Sequence, residues 1–147
     1  MRGRSALAID EVRPLRHALE PRHESFGSRE SLALLEKHGI ALVVADSAGK
    51  FPFFERPTTD FMYLRLHGDE QLYVSGYAPA ALRRWASRIR RWSKRGDVFC
   101  YFDNDAKVHA PFDAMALMQQ LGLADDAPAR PARARGEAAR TQWPALT

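Results

Sequence analysis

The chain of 147 residues is long enough for one domain with a buried core, and its apolar runs are shorter than the roughly 18 to 20 residues of a membrane helix, so no membrane span is expected. The formal net charge is +4, but residues 127–147 hold four arginines and one glutamate, so the rest of the chain is close to neutral and lacks the broad basic surface of a nucleic-acid-binding protein. The first residues include no apolar stretch typical of a secretory signal, and the one cysteine, Cys100, excludes an internal disulfide, so we expect a reduced, cytoplasmic setting.

Four short apolar runs predict β-strands. Each run is rich in β-branched or aromatic residues, and none alternates strictly with charged residues. This pattern is typical of strands that are covered on both faces, as in parallel sheets. The predicted strands are Leu15–Leu19, Ala41–Ala45, Phe61–Leu66 and Val98–Phe102.

Helical patterns lie between and after these runs. The predicted helices extend from Ser28 to Gly39, from Pro79 to Gly96 and from Pro111 to Gly122. Serine caps helix starts, proline is tolerated in the first turn, and glycine commonly ends a helix. The alternation of strands and helices predicts a parallel α/β sheet with right-handed crossovers. The segment 47–60 has no helical period but is long enough to make one crossover.

Polar side chains lie at the carboxyl end of every predicted strand. In parallel α/β folds ligands bind outside these ends, and in closed barrels nearly all active sites lie there. A single Asp or Asn at such a position commonly only starts a turn, but the whole set favours a site. The candidates are Glu20, Arg22, His23, Asp46, Arg65, His67, Asp103, Asn104, Asp105 and Lys107.

These residue types suit a small polar or anionic ligand. Glu20, His23 and His67 are the candidates for acid–base catalysis, because histidine titrates near neutral pH and carboxylates transfer protons readily. Arg22 and Arg65 can each hold a carboxylate or phosphate group through two parallel hydrogen bonds.

The remaining candidates orient a ligand. The carboxylate and amide groups of Asp46, Asp103, Asn104 and Asp105 can accept or donate hydrogen bonds, and Lys107 follows the last strand, where barrels often bind phosphate. The residue types of a divalent-metal site are present in Glu20, Asp46, His67 and Asp103. No closely spaced motif such as HExxH supports a metal, so metal and cofactor stay unassigned.

Three segments also carry a resemblance to a known family. They are Leu19–Phe26, Tyr63–Gly68 and Tyr101–Asp105. They resemble the E-x-R-H-x-S-aromatic, Y-x-R-L-H-G and Y-aromatic-N-N-D patterns of the YecE-like family, domain of unknown function 72 (DUF72), in the family's order. Trp85 and Asp46 also fit, while Asp103 and Asp113 stand where the family has asparagine. The resemblance covers about residues 15–123.

The resemblance implies a TIM-barrel-like (β/α) fold of unknown biochemical activity. Family members have the roughly 250 residues of a full barrel, so we expect this chain to form the C-terminal half of one. Residues 1–14 would then be the remnant of a preceding helix or an unrelated start, and 15–123 the YecE-like domain. Residues 124–147, rich in proline, alanine and arginine, are predicted to be a disordered tail. A half barrel has unpaired strand edges, which predicts self-association or pairing with a separate N-terminal half.

Three functions stay open on the sequence alone. The first is an enzyme, or half of one, that binds a small polar or anionic ligand at the strand ends. The second is a truncated or split gene product without independent activity. The third is a nucleic-acid or partner-binding module that uses the basic helix at 79–95 and the arginine-rich tail, although an ordinary solvated helix face explains those arginines more simply. The sequence specifies no reaction.

Overall fold

A computed structural model describes residues 11–124 of the protein as a parallel α/β fold. The strands are β1 (His17–Leu19), β2 (Ile40–Leu42), β3 (Val44–Asp46), β4 (Met62–Leu66) and β5 (Val98–Phe102). The helices are α1 (Arg29–Lys37), α2 (Pro79–Trp92) and α3 (Ala110–Leu121), with short 3-10 helices at Glu24–Gly27 and Asp105–Lys107. The predictions for residues 1–10 and for the tail from 125 onward lie outside the described residues. No helix within 11–124 is long and apolar enough to cross a membrane.

All described strand pairs are parallel, which confirms the predicted α/β class. The order follows the chain: β1 pairs with β2, and β3, β4 and β5 form a three-stranded sheet with β4 in the centre. β2 and β3 are one extended segment interrupted at Val43, whose N–H donates to the carbonyl of Leu19 at 2.9 Å. The described strands do not close into a barrel, so the barrel expected from the sequence is not shown.

A side chain explains why the second predicted strand is split. The Thr58 hydroxyl donates to the Ile40 carbonyl at 2.7 Å and accepts the Leu42 N–H at 2.9 Å. These bonds occupy β2 on the side where a neighbouring strand would pair. β4 therefore begins its pairing only at β3, with Val44 opposite Leu64.

The helices form as their sequences predict and cover one face of the sheet. Ser28 caps α1 by accepting the Ser31 N–H at 3.2 Å, and Gly122 ends α3 in the left-handed conformation at φ +76°. The apolar stripe of α2 packs against alternate residues of β4 and β5, with α3 beside it. The core there is Val44, Met62, Leu64, Leu66, Tyr77, Ala81, Leu82, Trp85, Ala86, Ile89, Trp92 and Leu117.

The crossover segment 47–60 is fixed onto α2 rather than extended into solvent. The Phe53 ring lies 6.3 Å from the Trp85 ring, and the Glu55 carboxylate pairs with Arg88 at 3.5 Å and Arg91 at 2.8 Å. Aromatic packing and these ion pairs order a stretch whose sequence has no periodic pattern.

The opposite face of the sheet has no helix over it among the described residues. We call it the open face, and it is formed by Arg16, Ala18, Phe61, Tyr63, Phe99 and Tyr101. The Tyr63 ring stacks with the Tyr101 ring at 5.1 Å and the Phe99 ring at 6.3 Å, and Tyr101 is 49% exposed. Alternation along β4 and β5 thus sends Leu64, Cys100 and Phe102 to the helices. The same alternation sends Tyr63, Arg65, Phe99 and Tyr101 to the open face.

Candidate functional site

The carboxyl ends of β1, β4 and β5 bring four predicted site residues together. Glu20 follows β1, Arg65 lies in β4, His67 follows β4, and Asp103 follows β5. The parallel register pairs Arg65 with Tyr101 and Leu66 with Phe102, so the next residues of the two strands meet at the same edge. All four side chains continue the alternation of the open face.

His67 lies at the centre of this group and is fully buried, at 0% exposure. Its Nε2 is 2.8 Å from Glu20 Oε1, and its Nδ1 is 3.0 Å from Asp103 Oδ2. Because both ring nitrogens face carboxylate oxygens, the imidazole can donate to both partners at once only in its protonated form. The buried ring therefore joins two acids that come from different strands.

Two arginines balance the charge of these acids. Arg65 Nη2 donates to Asp103 Oδ2 at 2.6 Å, and its Nη1 lies 3.4 Å from Glu20 Oε2. Arg22 Nη2 is 3.3 Å from Glu20 Oε1, and its guanidinium group stacks over the Phe51 ring at 4.1 Å. We call Glu20, Arg22, Arg65, His67 and Asp103 the strand-end cluster.

The strand-end cluster borders a cavity of about 440 Å³ on the open face. Glu20 and Arg65 line one end of this cavity, and Arg16 lines the other, where it forms an ion pair with Asp97 at 2.5 Å. The Arg65 side chain keeps 31% of its surface exposed although it contacts two acids. A small molecule in the cavity can therefore reach the charged groups.

The turn after β4 fixes the position of His67 beside Glu20 and Asp103. Gly68 has φ +130°, and a Cβ atom there would lie 2.4 Å from the Gln71 carbonyl oxygen, so only glycine fits. The Tyr73 N–H then returns to the His67 carbonyl at 2.5 Å, and the Tyr73 ring lies edge-on to the imidazole at 5.3 Å. Tyr73 has φ +61°, a left-handed conformation that costs a non-glycine residue about 1 kcal/mol or more.

The cluster does not have the geometry of a metal site. Glu20 and Asp103 lie against opposite nitrogens of the His67 ring, so the three side chains do not converge on one point. Across residues 11–124, no group of three or more His, Cys, Asp or Glu side chains is arranged to hold a metal ion. The metal and cofactor of this site stay unassigned.

Asp46, another predicted site residue, faces the helices and not the cluster. Its Oδ2 accepts the Tyr77 hydroxyl at 3.1 Å, and the Tyr77 oxygen accepts the Gly68 N–H at 3.1 Å. Burial raises the pKa of Asp46, and the hydrogen bonds from Tyr77 and Trp85 oppose that shift. Burial, together with the charge of Asp46, also raises the pKa of Tyr77.

Asn104 belongs to a second buried network. Its Nδ2 donates to the Ser75 carbonyl at 2.9 Å and to Asp113 Oδ2 at 2.8 Å, and the same Asp113 oxygen accepts the Tyr77 N–H at 3.0 Å. Asn104 and Asp113 are almost fully buried. These bonds tie the end of β5 to the start of α3 and to the loop before α2.

The last three predicted residues lie at exposed turns. The His23 ring accepts the Ser25 N–H at 3.2 Å and so caps the first 3-10 helix. Asp105 and Lys107 begin and end the second 3-10 helix and are exposed. The structure does not bring them into the strand-end cluster.

Sequence reasoning missed three residues that shape the site. Tyr77 and Tyr73 come from the long loop after β4, and Phe51 comes from the crossover segment. Tyr77 stands two residues before the proline that starts α2, which marks a helix entry but gives no sign of a bond to Asp46. No local pattern indicates the contacts of Tyr73 or Phe51.

Comparisons with known proteins identify the family of this chain. The family described as "Protein of unknown function DUF72" matches residues 5–137. No curated protein matches the chain.

Crystal structures of DUF72 family proteins have the same fold. A protein from Enterococcus faecalis V583 is 18% identical with a TM-score of 0.69, and the match covers 79% of this chain and 51% of that one. A protein from Thermotoga maritima MSB8 is 28% identical with a TM-score of 0.64, and the match covers 75% of this chain and 46% of that one. The chain thus spans about half the length of these structures. It belongs to the DUF72 family, whose description assigns no function.

Proposed function

We propose that the chain binds a small polar or anionic ligand in the cavity beside the strand-end cluster. The observation that carries this proposal is the position of Arg65. It contacts both acids that hold His67, and yet it lines the cavity with about a third of its side chain exposed. A guanidinium group in this position can turn part of its donor fork toward a carboxylate or phosphate.

The charges of the strand-end cluster suit a polar or anionic ligand. Two arginines offset two carboxylates, and His67 adds a positive charge when it is protonated. Arg22 pairs with Glu20 at 3.3 Å and is well exposed, so it can move toward a ligand at little cost. Glu20 and His67 are the residues we assign to proton transfer, while Asp103 orients the imidazole.

Stability alone is a weak explanation for this arrangement. Removing charged groups from water costs energy that an ion pair often does not recover, so apolar residues stabilise a buried position at least as well. The cluster nevertheless places a fully buried imidazole between two acids. We therefore interpret His67 as a residue that binds a ligand or transfers a proton rather than as a stabilising core residue.

A barrel-like arrangement of the sheet is part of this proposal. It is supported by the parallel strands in chain order and by the similarity to DUF72 structures, of which this chain matches about half. In such a fold the strand-end cluster would lie at the mouth where barrels bind their ligands.

The test is binding of two small anions, inorganic phosphate and malonate, to the purified 147-residue chain. We expect saturable changes in the NMR signals of the Arg65 side chain and of the His67 and Gly68 amides. Arg65→Ala should abolish the changes at the His67 and Gly68 amides, and Arg65→Lys should weaken them, because lysine keeps the charge but not the planar fork. Circular dichroism shows whether each variant is folded.

Arg83→Ala is the matched control, since Arg83 is exposed on α2, on the helix-covered side of the sheet. It should leave anion binding unchanged. Binding that survives Arg65→Ala, or that is lost with Arg83→Ala, would contradict the proposal. Binding of neither anion to the natural chain would contradict the anionic part of it.

We do not propose nucleic-acid binding through α2. Arg88 and Arg91 pair with Glu55, and the Arg90 guanidinium donates to the Gln120 carbonyl. These three arginines thus fix the crossover segment and α3 to α2. No observation within residues 11–124 favours a phosphate backbone as their partner.

A further inference from the structure

The open face of the sheet is rich in aromatic side chains, as is typical of a face that another element or chain covers. Parallel sheets are almost always covered on both faces, but α2 and α3 cover only one face here. The other face exposes the stacked rings of Tyr63, Phe99 and Tyr101 above the cavity. Contiguous aromatic surface of this kind marks an interaction site.

The two outer strands point to the same conclusion. β1 pairs only with β2, and β5 pairs only with β4 among the described strands, so each leaves one edge of backbone groups without a strand partner. Such edges pair readily with another chain. β1 and β5 are the two outermost of these parallel strands. The free edge of β5 in one chain can therefore form a parallel pair with the free edge of β1 in another.

We propose that a second copy of this chain covers the open face, with β5 of each copy beside β1 of the other. Each copy supplies four strand positions, namely β1, the β2–β3 segment, β4 and β5. Two copies related by a two-fold axis along the strands supply the eight parallel strands of a closed (β/α) barrel. The two junctions are equivalent, and no free edge is left.

The size of the relatives supports a second copy as the occupant. The chain matches 51% and 46% of the two DUF72 structures, so two copies together have about the size of one of those proteins. The arginines of the open face are also paired with acids, because Arg16 contacts Asp97 and Arg65 contacts both Glu20 and Asp103. Two such faces can therefore meet without unpaired cations opposing each other.

The assembly would also complete the candidate site. A two-fold axis along the strands places the carboxyl ends of both copies at one mouth, so the two strand-end clusters face the same space. The cavity beside Glu20 and Arg65 would then gain its missing wall from the partner. This assembly stands or falls independently of the proposed ligand.

The test is sedimentation of the 147-residue chain over about 1 to 100 µM protein, a range that reveals micromolar association. We expect a particle of twice the 16.6 kDa chain mass. Ala18→Lys and Tyr101→Glu place charges on exposed positions of the open face and should each weaken the dimer by about a hundredfold, as the loss of a central contact does. Leu34→Glu, at an exposed apolar position of α1, is the control and should leave the dimer intact.

Circular dichroism confirms that the variants are folded, and two exposed positions keep the test valid if one variant is not. A monomer at every concentration overturns the proposal and leaves a separate polypeptide, or residues outside 11–124, as the cover. A dimer that survives both open-face variants overturns it as well. Open-ended oligomers do the same, because they show edges that pair without closing.

Discussion

The two faces of the sheet differ in what covers them: helices cover one face, and the other face lines a cavity. Along β4 and β5, neighbouring residues point to opposite sides. Leu64 and Cys100 enter the core under α2 and α3, while Tyr63 and Tyr101 lie on the open face. The helix-covered face holds the buried core, and the open face holds the strand-end cluster and the surface that we propose a second copy covers.

The polar groups at the strand ends follow the same division. On the helix side, Asp46, Tyr77, Asn104 and Asp113 bond to one another and to the backbone, and they hold loops in place. On the open side, the strand-end cluster combines charges that a ligand can reach. Substitutions on the two sides should therefore differ in kind.

The largest expected contrast is the reactivity of neighbouring positions in β5. Burial raises the pKa of Cys100 to about 12, so its thiolate is scarce in the folded chain. Alkylation by iodoacetamide near pH 8 should be about a thousandfold slower in the folded chain than in urea, since only the thiolate reacts. At protein concentrations low enough to keep the chain monomeric, a Tyr101→Cys, Cys100→Ala double variant is the control and should react at similar rates in both states, because position 101 is 49% exposed in the single chain. Equal rates for Cys100 would show that the helix-side face is not closed.

Removing apolar volume from the covered face should give the next largest effect. Leu64 is 0% exposed between β4 and the helices, so Leu64→Ala should lower the free energy of unfolding by about 3 kcal/mol through lost burial and a cavity. Leu34→Ala, at a position that is 58% exposed, should cost less than about 1 kcal/mol. Urea unfolding measures both, and similar losses would contradict the assignment of the core.

Breaking the buried hydrogen-bond network on the helix side should lower the free energy of unfolding somewhat less than Leu64→Ala does. Asp113→Ala removes the acceptor of the Tyr77 N–H and of the Asn104 amide, which should lower stability by about 2 kcal/mol because buried donors lose their partners. Asp105→Ala, at an exposed turn, is the matched control with a loss within about 0.5 kcal/mol. Thermal melts of the two variants decide the comparison.

The smallest effect is a pH dependence that comes from Asp46. Burial raises its pKa in the folded chain, so the folded state binds this proton more tightly than the unfolded state. As the pH rises through the raised pKa, the carboxyl must ionise in a buried position, and its contribution to stability falls. Asp46→Asn should therefore gain stability relative to the natural chain as the pH rises above about 4, the ordinary pKa of an aspartate, and the gain should level off once the pH is above the raised pKa. A difference that is constant or that shrinks with rising pH would contradict the shift.

Much of the fold follows from local patterns. Val98–Phe102 is a strand with the predicted bounds. Ser28 caps the start of α1 and Gly122 caps the end of α3, as capping rules require. The second strand was predicted as continuous, and that detail was wrong. The Thr58 side chain, which comes from the crossover segment, hydrogen-bonds to the backbone of β2 where a neighbouring strand would pair. A bond of this kind leaves no periodic signal.

The candidate site was also predictable only where local patterns indicate it. Glu20, Arg65, His67 and Asp103 were identified because they lie at the carboxyl ends of strands, and parallel pairing brings such residues together. Asp46 follows a strand too, but apolar runs that are buried on both sides do not indicate which side becomes the helix face. The side-chain hydrogen bonds to Asp46 come from residues far away in the sequence, Trp85 and Tyr77, the latter 31 positions away.

The interruption at Val43 has a consequence for how the protein opens. β1 and β2 form one hydrogen-bonded pair and β3, β4 and β5 another sheet, so the two can lose their hydrogen bonds separately in native-state exchange. Glu20 belongs to the first unit, whereas Arg65, His67 and Asp103 belong to the second. Each opening of the short, exposed β1 therefore removes one acid from His67 and leaves the other in place. Amide exchange at β1 would then report how often the strand-end cluster comes apart.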